Sequence, residues 1–406
     1  MQKFFERLFC KINKHHIVSS LTIFLFVSAS ALLTVSSVSY QAMTFSLNSL
    51  ADNFQPKKIS DAYKENKRVK HINQPDFVKG IYLTSHTAGS YRFDELLELV
   101  KNTELNTMVI DVQDTKGNLA FQTLNNLLLP LQEKNVLIKD LDGLVKKAHN
   151  NNVYLIGRVV VFQNPALVNL HPEWAVKNKN GGVWKDYKGI SWLDAACRSV
   201  WDLNIALAKE LYNRGFDEIN FDYIRFPSDG NISSAVYPCF KSKNKAETIR
   251  EFFNYLNVNL KNIPISVDLF GQTCCNLDDI NIGQMVIHAY ENLDAICQMM
   301  YPSHYYTNFI GFKNPAEHPY EVVKYSLDKT FEKINNFIEV SSSTPKTIPL
   351  RKTQIRPWIQ AFSLGAIYTP EMIRRQMQAI YDTPNTRGWL LWNARNIYSN
   401  NIFLSK

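Results

Sequence analysis

After about residue 77, eight short apolar runs of strand length recur along the chain, separated by turns and by stretches with helical periodicity. The runs are Val78–Thr84, Thr107–Val112, Val153–Val161, Glu218–Tyr223, Ile265–Phe270, Ala295–Tyr301, Ile355–Phe362 and Gly388–Trp392. Between them lie the amphipathic stretches Phe93–Glu104, Leu141–Asn150, Val200–Arg214, Lys245–Asn262, Ile280–Leu293, Tyr320–Phe337 and Pro370–Tyr381. Neighbouring parallel strands need a crossover, which a helix supplies, so this alternation predicts a parallel sheet of βα units. Eight units over roughly 320 residues fit a closed (β/α)8 barrel, the TIM barrel of the α/β class, better than an open doubly wound sheet. No Gly-x-Gly-x-x-Gly follows the first run, which speaks against a dinucleotide-binding sheet.

Three other textures precede the barrel. Residues 1–16 carry Lys3, Arg7, Lys11 and Lys14 and read as a cytoplasmic basic N-terminus. Residues 17–41 contain an uncharged run from Ile17 to about Tyr40, long enough to span a bilayer as a signal-anchor or signal peptide helix. Ala29-Ser30-Ala31 has the form of a cleavage site, which keeps removal open. Residues 42–76 are polar and lysine-rich, with Pro56 and Pro75 as breakers, and read as a linker, leaving 77–400 for the barrel.

Composition removes several classes of function. A chain of 406 residues that is 45% hydrophobic and 12% aromatic is not disordered. Its formal charge of +8 is spread over scattered Lys and Arg rather than a stripe, so no nucleic acid partner is expected. The sequence has no His-Glu-x-x-His, Cys-x-x-Cys or Gly-x-Ser-x-Gly, so neither a metal, another cofactor nor a serine hydrolase elbow is expected. Of the cysteines beyond Cys10, Cys239 and the Cys274-Cys275 pair form one candidate bridge, with buried free thiols as the alternative. Cys197 and Cys297 read as core residues.

The chemistry is concentrated where the runs end. In Phe216–Pro227 a buried-strand pattern leads directly into Asp222, Tyr223 and Arg225. A half-buried carboxylate there costs several kcal/mol unless paired or used, so Asp222 is either one arm of a structural ion pair or part of a site. The other ends supply Asp111 and Asp114, Arg158, Asp268, Tyr301 and His304, Trp358 and Gln360, and Trp392. Carboxylates, amides and aromatics converging on one barrel mouth suit a ligand with many hydroxyls. Asp222 and Asp268 are the expected catalytic pair, Asp222 as nucleophile or base and Asp268 as acid, with a structural role open for Asp268. Asp111, Asp114, Arg158, Arg225, Tyr301, His304, Trp358, Gln360 and Trp392 are the expected substrate contacts; Asp111 and Asp114 also suit a turn before Gly117. Two long loops, Phe162–Arg198 and Ser228–Asn244, belong to the same face. The first carries Trp174, Trp184, Tyr187 and Trp192, either a platform for sugar rings or pins that hold the loop.

Several motifs together resemble the glycoside hydrolase-like barrel domain of bacterial exported proteins, over roughly Val78 to Tyr398. They are Val-Lys-Gly-Ile-Tyr-Leu-Thr at 78–84, His-Pro-Glu-Trp-Ala-Val at 171–176, Gly-Gly-Val-Trp-Lys-Asp-Tyr at 181–187 and Gly-Phe-Asp-Glu-Ile-Asn-Phe-Asp-Tyr-Ile-Arg-Phe-Pro at 215–227. Met-Tyr-Pro-Ser-His-Tyr at 300–305, Ile-Arg-Pro-Trp-Ile-Gln at 355–360 and Gly-Trp-Leu-Leu-Trp-Asn at 388–393 complete the set. The fourth run also resembles, distantly, the chitinase-type barrels: Asp222 matches the last Asp of their ladder, Asn220 replaces an earlier one, and Ile224 holds the place of the acid Glu. Ala361 stands where the resembled family carries an acidic residue. The resemblance implies a glycoside hydrolase acting on an extracytoplasmic polysaccharide or oligosaccharide. It would be anchored in the bacterial inner membrane with the barrel facing the periplasm or exterior, or else secreted. The alternative is a carbohydrate-binding barrel at the envelope that has lost turnover, for which Ile224 and Ala361 are the reasons.

Overall fold

The eight runs are strands, each paired in parallel with its neighbours. The computed structural model describes residues 69–241, 244–342 and 353–406. The strands are β1 (Val78–Leu83), β2 (Thr107–Asp111), β3 (Tyr154–Val160), β4 (Glu218–Asp222), β5 (Ile265–Phe270), β6 (Ala295–Met299), β7 (Trp358–Gln360) and β8 (Gly388–Trp392). Strand order follows chain order, and β7 pairs with β8 on one side and with β6, through Trp358 opposite Met299, on the other. The sheet therefore closes into a parallel barrel. Its crossover helices are α1 (Arg92–Asn102), α2 (Leu141–Asn150), α3 (Arg198–Asn213), α4 (Lys245–Asn259), α5 (Val286–Tyr290), α6 (Pro319–Ser342) and α7 (Pro370–Tyr381). Side-chain caps start several of them: Asp140 accepts from the Gly143 amide, Asn244 from Glu247 and Thr369 from Met372.

Alternation along the strands sorts side chains into two cores. Ile110, Val159, Ile219, Phe221 and Val267 join the large apolar layer between sheet and helices. Val78, Tyr82, Val109, Tyr154, Ile156, Cys297, Trp358 and Leu390 form a smaller cluster. On β4 the complementary set, Glu218, Asn220 and Asp222, is polar, and each member finds partners on other strands. Glu218 takes hydrogen bonds from Arg356 (2.5 Å), Ser266 (2.5 Å) and Tyr154 (3.1 Å). A buried carboxylate of this kind is tolerable only with such a complete set of donors.

Three elements depart from the sequence reading. The run Ile355–Phe362 is broken at Pro357, which lacks an amide proton, into Gln354–Ile355 on β6 and Trp358–Gln360 on β8. The helix expected over Ile280–Leu293 shrinks to α5 because Ile280, Asn281 and Gly283 have left-handed φ values of 53°, 56° and 86°. Residues 69–76, read as the end of the linker, lie against the barrel: the Ile72 amide donates to Asp217 at 2.7 Å, and His71 stacks on Tyr212 at 4.0 Å. The segment read as a membrane helix, 17–41, lies outside the described residues. Among those described, no helix is long and apolar enough to cross a membrane.

The two long loops form one wall. Lys177–Asn178 pairs antiparallel with Ala235–Val236, and a disulfide joins Cys197 to Cys239, correcting the reading of Cys197 as a simple core residue and of Cys239 as a partner for Cys274-Cys275. Asp194 ties the same junction by accepting from the amides of Cys239 (2.6 Å) and Phe240 (3.1 Å). Trp184 and Trp192 are buried and pin the wall, Trp184 to the Asn231 carbonyl and Trp192 to Asp186, so of the loop aromatics expected to offer a sugar platform only Tyr187 is strongly exposed. Closing a loop with a disulfide is worth about 2–4 kcal/mol. Denaturant unfolding with and without a thiol reductant should therefore differ by about that amount. A Cys197→Ala/Cys239→Ala variant should be indifferent to the reductant.

Candidate active site

One guanidinium organises the barrel mouth. Arg158, from β3, donates to Asp111 of β2 at 2.6 Å and to Asp222 of β4, and its Nε lies 3.8 Å from Asp268 of β5. The three carboxylates come from the strands flanking β3 and the next one round; the register sets Arg158 level with Asp111 and Asn220, two residues short of Asp222, so its side chain reaches up to that carboxylate. Two rings cover the cation: its Cζ is 5.1 Å from the Trp392 centroid and 5.7 Å from that of Tyr82, which themselves stack at 3.9 Å. Tyr82 also donates to Asp111.

The carboxyl groups have different environments. Asp268 is 1% exposed. Its Oδ1 accepts from Asn220 Nδ2 and Trp358 Nε1, both at 2.8 Å, while Oδ2 accepts no hydrogen bond. Burial pushes its carboxyl well above the usual range, and the nearby Asp222 charge adds to this, against the opposing pull of Arg158. The bonding pattern fits a neutral acid with the acceptor on Oδ1 and the proton on Oδ2. Burial raises Asp111 too, opposed by Arg158 and Tyr82. Asp222 sits against a strained backbone: Tyr223 has φ 54°, and its amide donates to Asp222 Oδ1.

A cleft of about 550 Å³ opens above this network. It is lined by Arg158, Asp222, Tyr223, Arg225, Asp268, Tyr301, His304 and Trp392, so seven of the residues singled out from the sequence converge there together with Tyr223. Tyr301 is kept protonated by burial, and its hydroxyl makes no internal hydrogen bond among the described residues. Asp111 lies behind the lining as an Arg158 partner. Trp358, expected as a substrate contact, is fully buried and serves Asp268 instead. Gln360, likewise expected at the substrate, is buried between the Ser303 amide and the Phe362 carbonyl. Asp114 takes the turn role: it accepts from the amides of Lys116 and Asn118 at 2.8 and 2.9 Å and does not reach the cleft. Strand ends disclose which residues approach the mouth but not their rotation about the strand. Of the site residues missed from sequence, Tyr82 and Asn220, only Asn220 had a signal, in the polar alternation Glu218, Asn220, Asp222.

The two apparent deficits have structural explanations. Ile224 is fully buried and its carbonyl accepts from Gln284, so that position does not face the cleft. Ala361 packs in the layer between strands and helices, and a missing acid there removes nothing from the lining.

Fold and site together define a parallel β/α barrel with a carboxylate-rich cleft at the carboxyl ends of its strands, where barrel enzymes place their chemistry. The chain belongs to the family described as "Putative glycosyl hydrolase domain", whose pattern matches residues 80–398, and its barrel is thus glycoside hydrolase-like. Among solved structures, a hypothetical protein from Ruminiclostridium thermocellum is similar at 36% identity, over 46% of this chain and 96% of that one, with a TM-score of 0.43. The α-galactosidase TtGalA of Thermus thermophilus is similar at 12% identity, over 81% and 60%, with a TM-score of 0.48. A curated relative, the HTH-type transcriptional regulator RegA of Clostridium saccharobutylicum, is 25% identical over 201 residues, and the match spans 44% of this chain and 59% of that protein.

Removing one member of a buried ion network costs roughly 3–5 kcal/mol, because the partners stay behind uncompensated. Arg158→Met should lose about that much stability at neutral pH, read from denaturant unfolding. For Asp268 the folded state holds a proton that the unfolded chain releases near pH 4, so its burial makes stability fall as pH rises above that point. Asp268→Asn, which keeps the Oδ1 acceptor, should flatten that decline in urea titrations between about pH 4 and 8.

Proposed function

We propose that this chain is a glycoside hydrolase in which Asp222 attacks the anomeric carbon or activates a water, and Asp268 protonates the leaving oxygen. The observation that carries the reading is the asymmetry of the pair: Asp222 accepts from the Arg158 guanidinium, whereas Asp268 is buried beside it, with hydrogen bonds on one oxygen only and its carboxyl pushed well above the usual range by burial. Glycoside cleavage needs this division of labour between two carboxyl groups. The cleft volume suits one or a few sugar rings, and Tyr301, His304 and Trp392 offer hydroxyl, imidazole and aromatic contacts around it. The reading does not use a chitinase-type Glu, since position 224 is Ile and faces the core. Asp111 holds Arg158 in place rather than reacting.

The substrate is an extracytoplasmic polysaccharide or oligosaccharide, reached by export of the chain or by anchoring in the bacterial inner membrane through residues 17–41. The Cys197–Cys239 disulfide supports an oxidising compartment, and the basic residues ahead of the uncharged run support an outward-facing barrel. A broad glycan panel should contain a substrate cleaved by the full chain. Asp222→Asn and Asp268→Asn should each lower turnover by about 100-fold or more, the scale of a lost general acid or base, while binding persists. Glycan binding without cleavage anywhere in the panel would establish the binding-barrel alternative instead.

A further inference from the structure

The cleft contains a second buried cation that the proposed hydrolysis does not use. Arg225, just past the end of β4, is 7% exposed and lines the cleft. Its Nη1 donates to the Phe226 carbonyl at 3.2 Å and to Ser228 Oγ at 3.1 Å. Among the described residues, Nε and Nη2 donate to nothing, and no carboxylate forms an ion pair with the group. These two nitrogens are one edge of the guanidinium fork, the edge that accepts two oxygens side by side. Three rings fix the plane: Phe270 at 4.6 Å, Trp192 at 4.7 Å and Tyr223 at 5.5 Å from Cζ to centroid.

The neighbouring charged groups leave that edge open to an anion. Arg158 already donates through both of its Nη atoms, to Asp111 and Asp222, and its remaining Nε faces Asp268 at 3.8 Å, whose carboxyl is pushed well above the usual range by burial. Lys188, exposed on the loop wall, lines the same cleft and makes no ion pair among the described residues; Asp229 on the rim is the opposing charge. Of the other carboxylates near Arg225, Asp222 is taken by Arg158, and Asp186 is engaged by the amides of Lys188 and Ile190 and by Trp192 Nε1. An arginine withdrawn from water with half of its fork unused loses hydration that a ligand's oxygens would replace.

Resting on the hydrolase reading of the same cleft, we propose that the glycan is anionic and that Arg225 receives its acidic group, a carboxylate as in a uronic acid or a phosphate ester, in a two-oxygen contact. Asp222 and Asp268 act on the bond, whereas Arg225 selects which sugar presents it.

The test uses the full chain carrying Asp268→Asn, which retains the Oδ1 acceptor, so that binding is read without turnover. Dissociation constants are measured for uronic acid trisaccharides, the matched carboxyl-reduced trisaccharides and phosphate-substituted trisaccharides. An acidic probe should bind about 10- to 100-fold more tightly than its neutral match, the scale of a charge-assisted fork. Arg225→Met should remove that preference without weakening the neutral probe. Arg225→Lys, which keeps the charge and loses the fork, should leave only part of it, and decides the matter if the Met variant does not fold. Preference for the phosphate-bearing probe alone identifies the acidic group as phosphate. Equal binding of acidic and neutral probes, no binding of either acidic probe, or a preference that survives Arg225→Lys undiminished overturns the proposal. Arg225-dependent binding of a glycan that the unsubstituted chain never cleaves sinks the hydrolase reading and leaves the anionic subsite standing. Cleavage of neutral glycans unaffected by Arg225→Met does the reverse.

Discussion

The arrangement of the barrel mouth depends on one buried guanidinium. Arg158 joins strands β2, β3 and β4 by direct ion pairs and approaches β5, so it supplies cross-barrel attraction where Asp111 and Asp222 would otherwise repel. In the low-dielectric interior such an ion is tolerable only with charged partners close by, and its partners need it equally. Position and charge of Asp111, Asp222 and Asp268 are thereby coupled through one residue.

The coupling also separates the two reacting carboxyl groups. Asp222 lies in direct contact with the cation, while Asp268 receives its hydrogen bonds on a single oxygen from Asn220 and Trp358 and meets the cation only at 3.8 Å. Burial does the rest for Asp268. Two identical side chains on adjacent strands therefore sit in different surroundings because of what lies beneath them, the condition for acid and base work at one bond. Arg225 is held by a different device, an aromatic cage, and shares no carboxylate with Arg158.

Much of this was legible in residues alone. Eight short runs separated by helical periodicity disclosed the closed parallel sheet, since each crossover has the length and amphipathicity that a parallel neighbour demands. Asp111, Arg158, Asp222 and Asp268 were legible because a charged residue ending an apolar strand is costly without a purpose. What stayed hidden depended on side-chain rotation and long-range pairing. Pro357 turns the seventh run so that Trp358 supports Asp268 from below and Gln360 braces the backbone of Ser303. Asp114 answered to local turn chemistry, a competitor that strand-end reasoning does not weigh. The disulfide partners Cys197 and Cys239 stand 42 residues apart on different loops, so only the folded wall brings them together. A helical pattern over Ile280–Leu293 yielded to Gly283 and the left-handed residues before it.

The central claim is that Asp268 is a neutral acid beside the charged Arg158–Asp222 pair. It is tested most directly by difference infrared spectroscopy of the full chain against Asp268→Asn at neutral pH, reading the C=O stretch of a protonated carboxylic acid. The account predicts such a band in the unsubstituted chain, lost in the variant and titrating only well above the ordinary carboxylate range. If the difference spectrum instead shows only an ionised carboxylate at position 268 down to about pH 4, the division of labour between the two aspartates is contradicted.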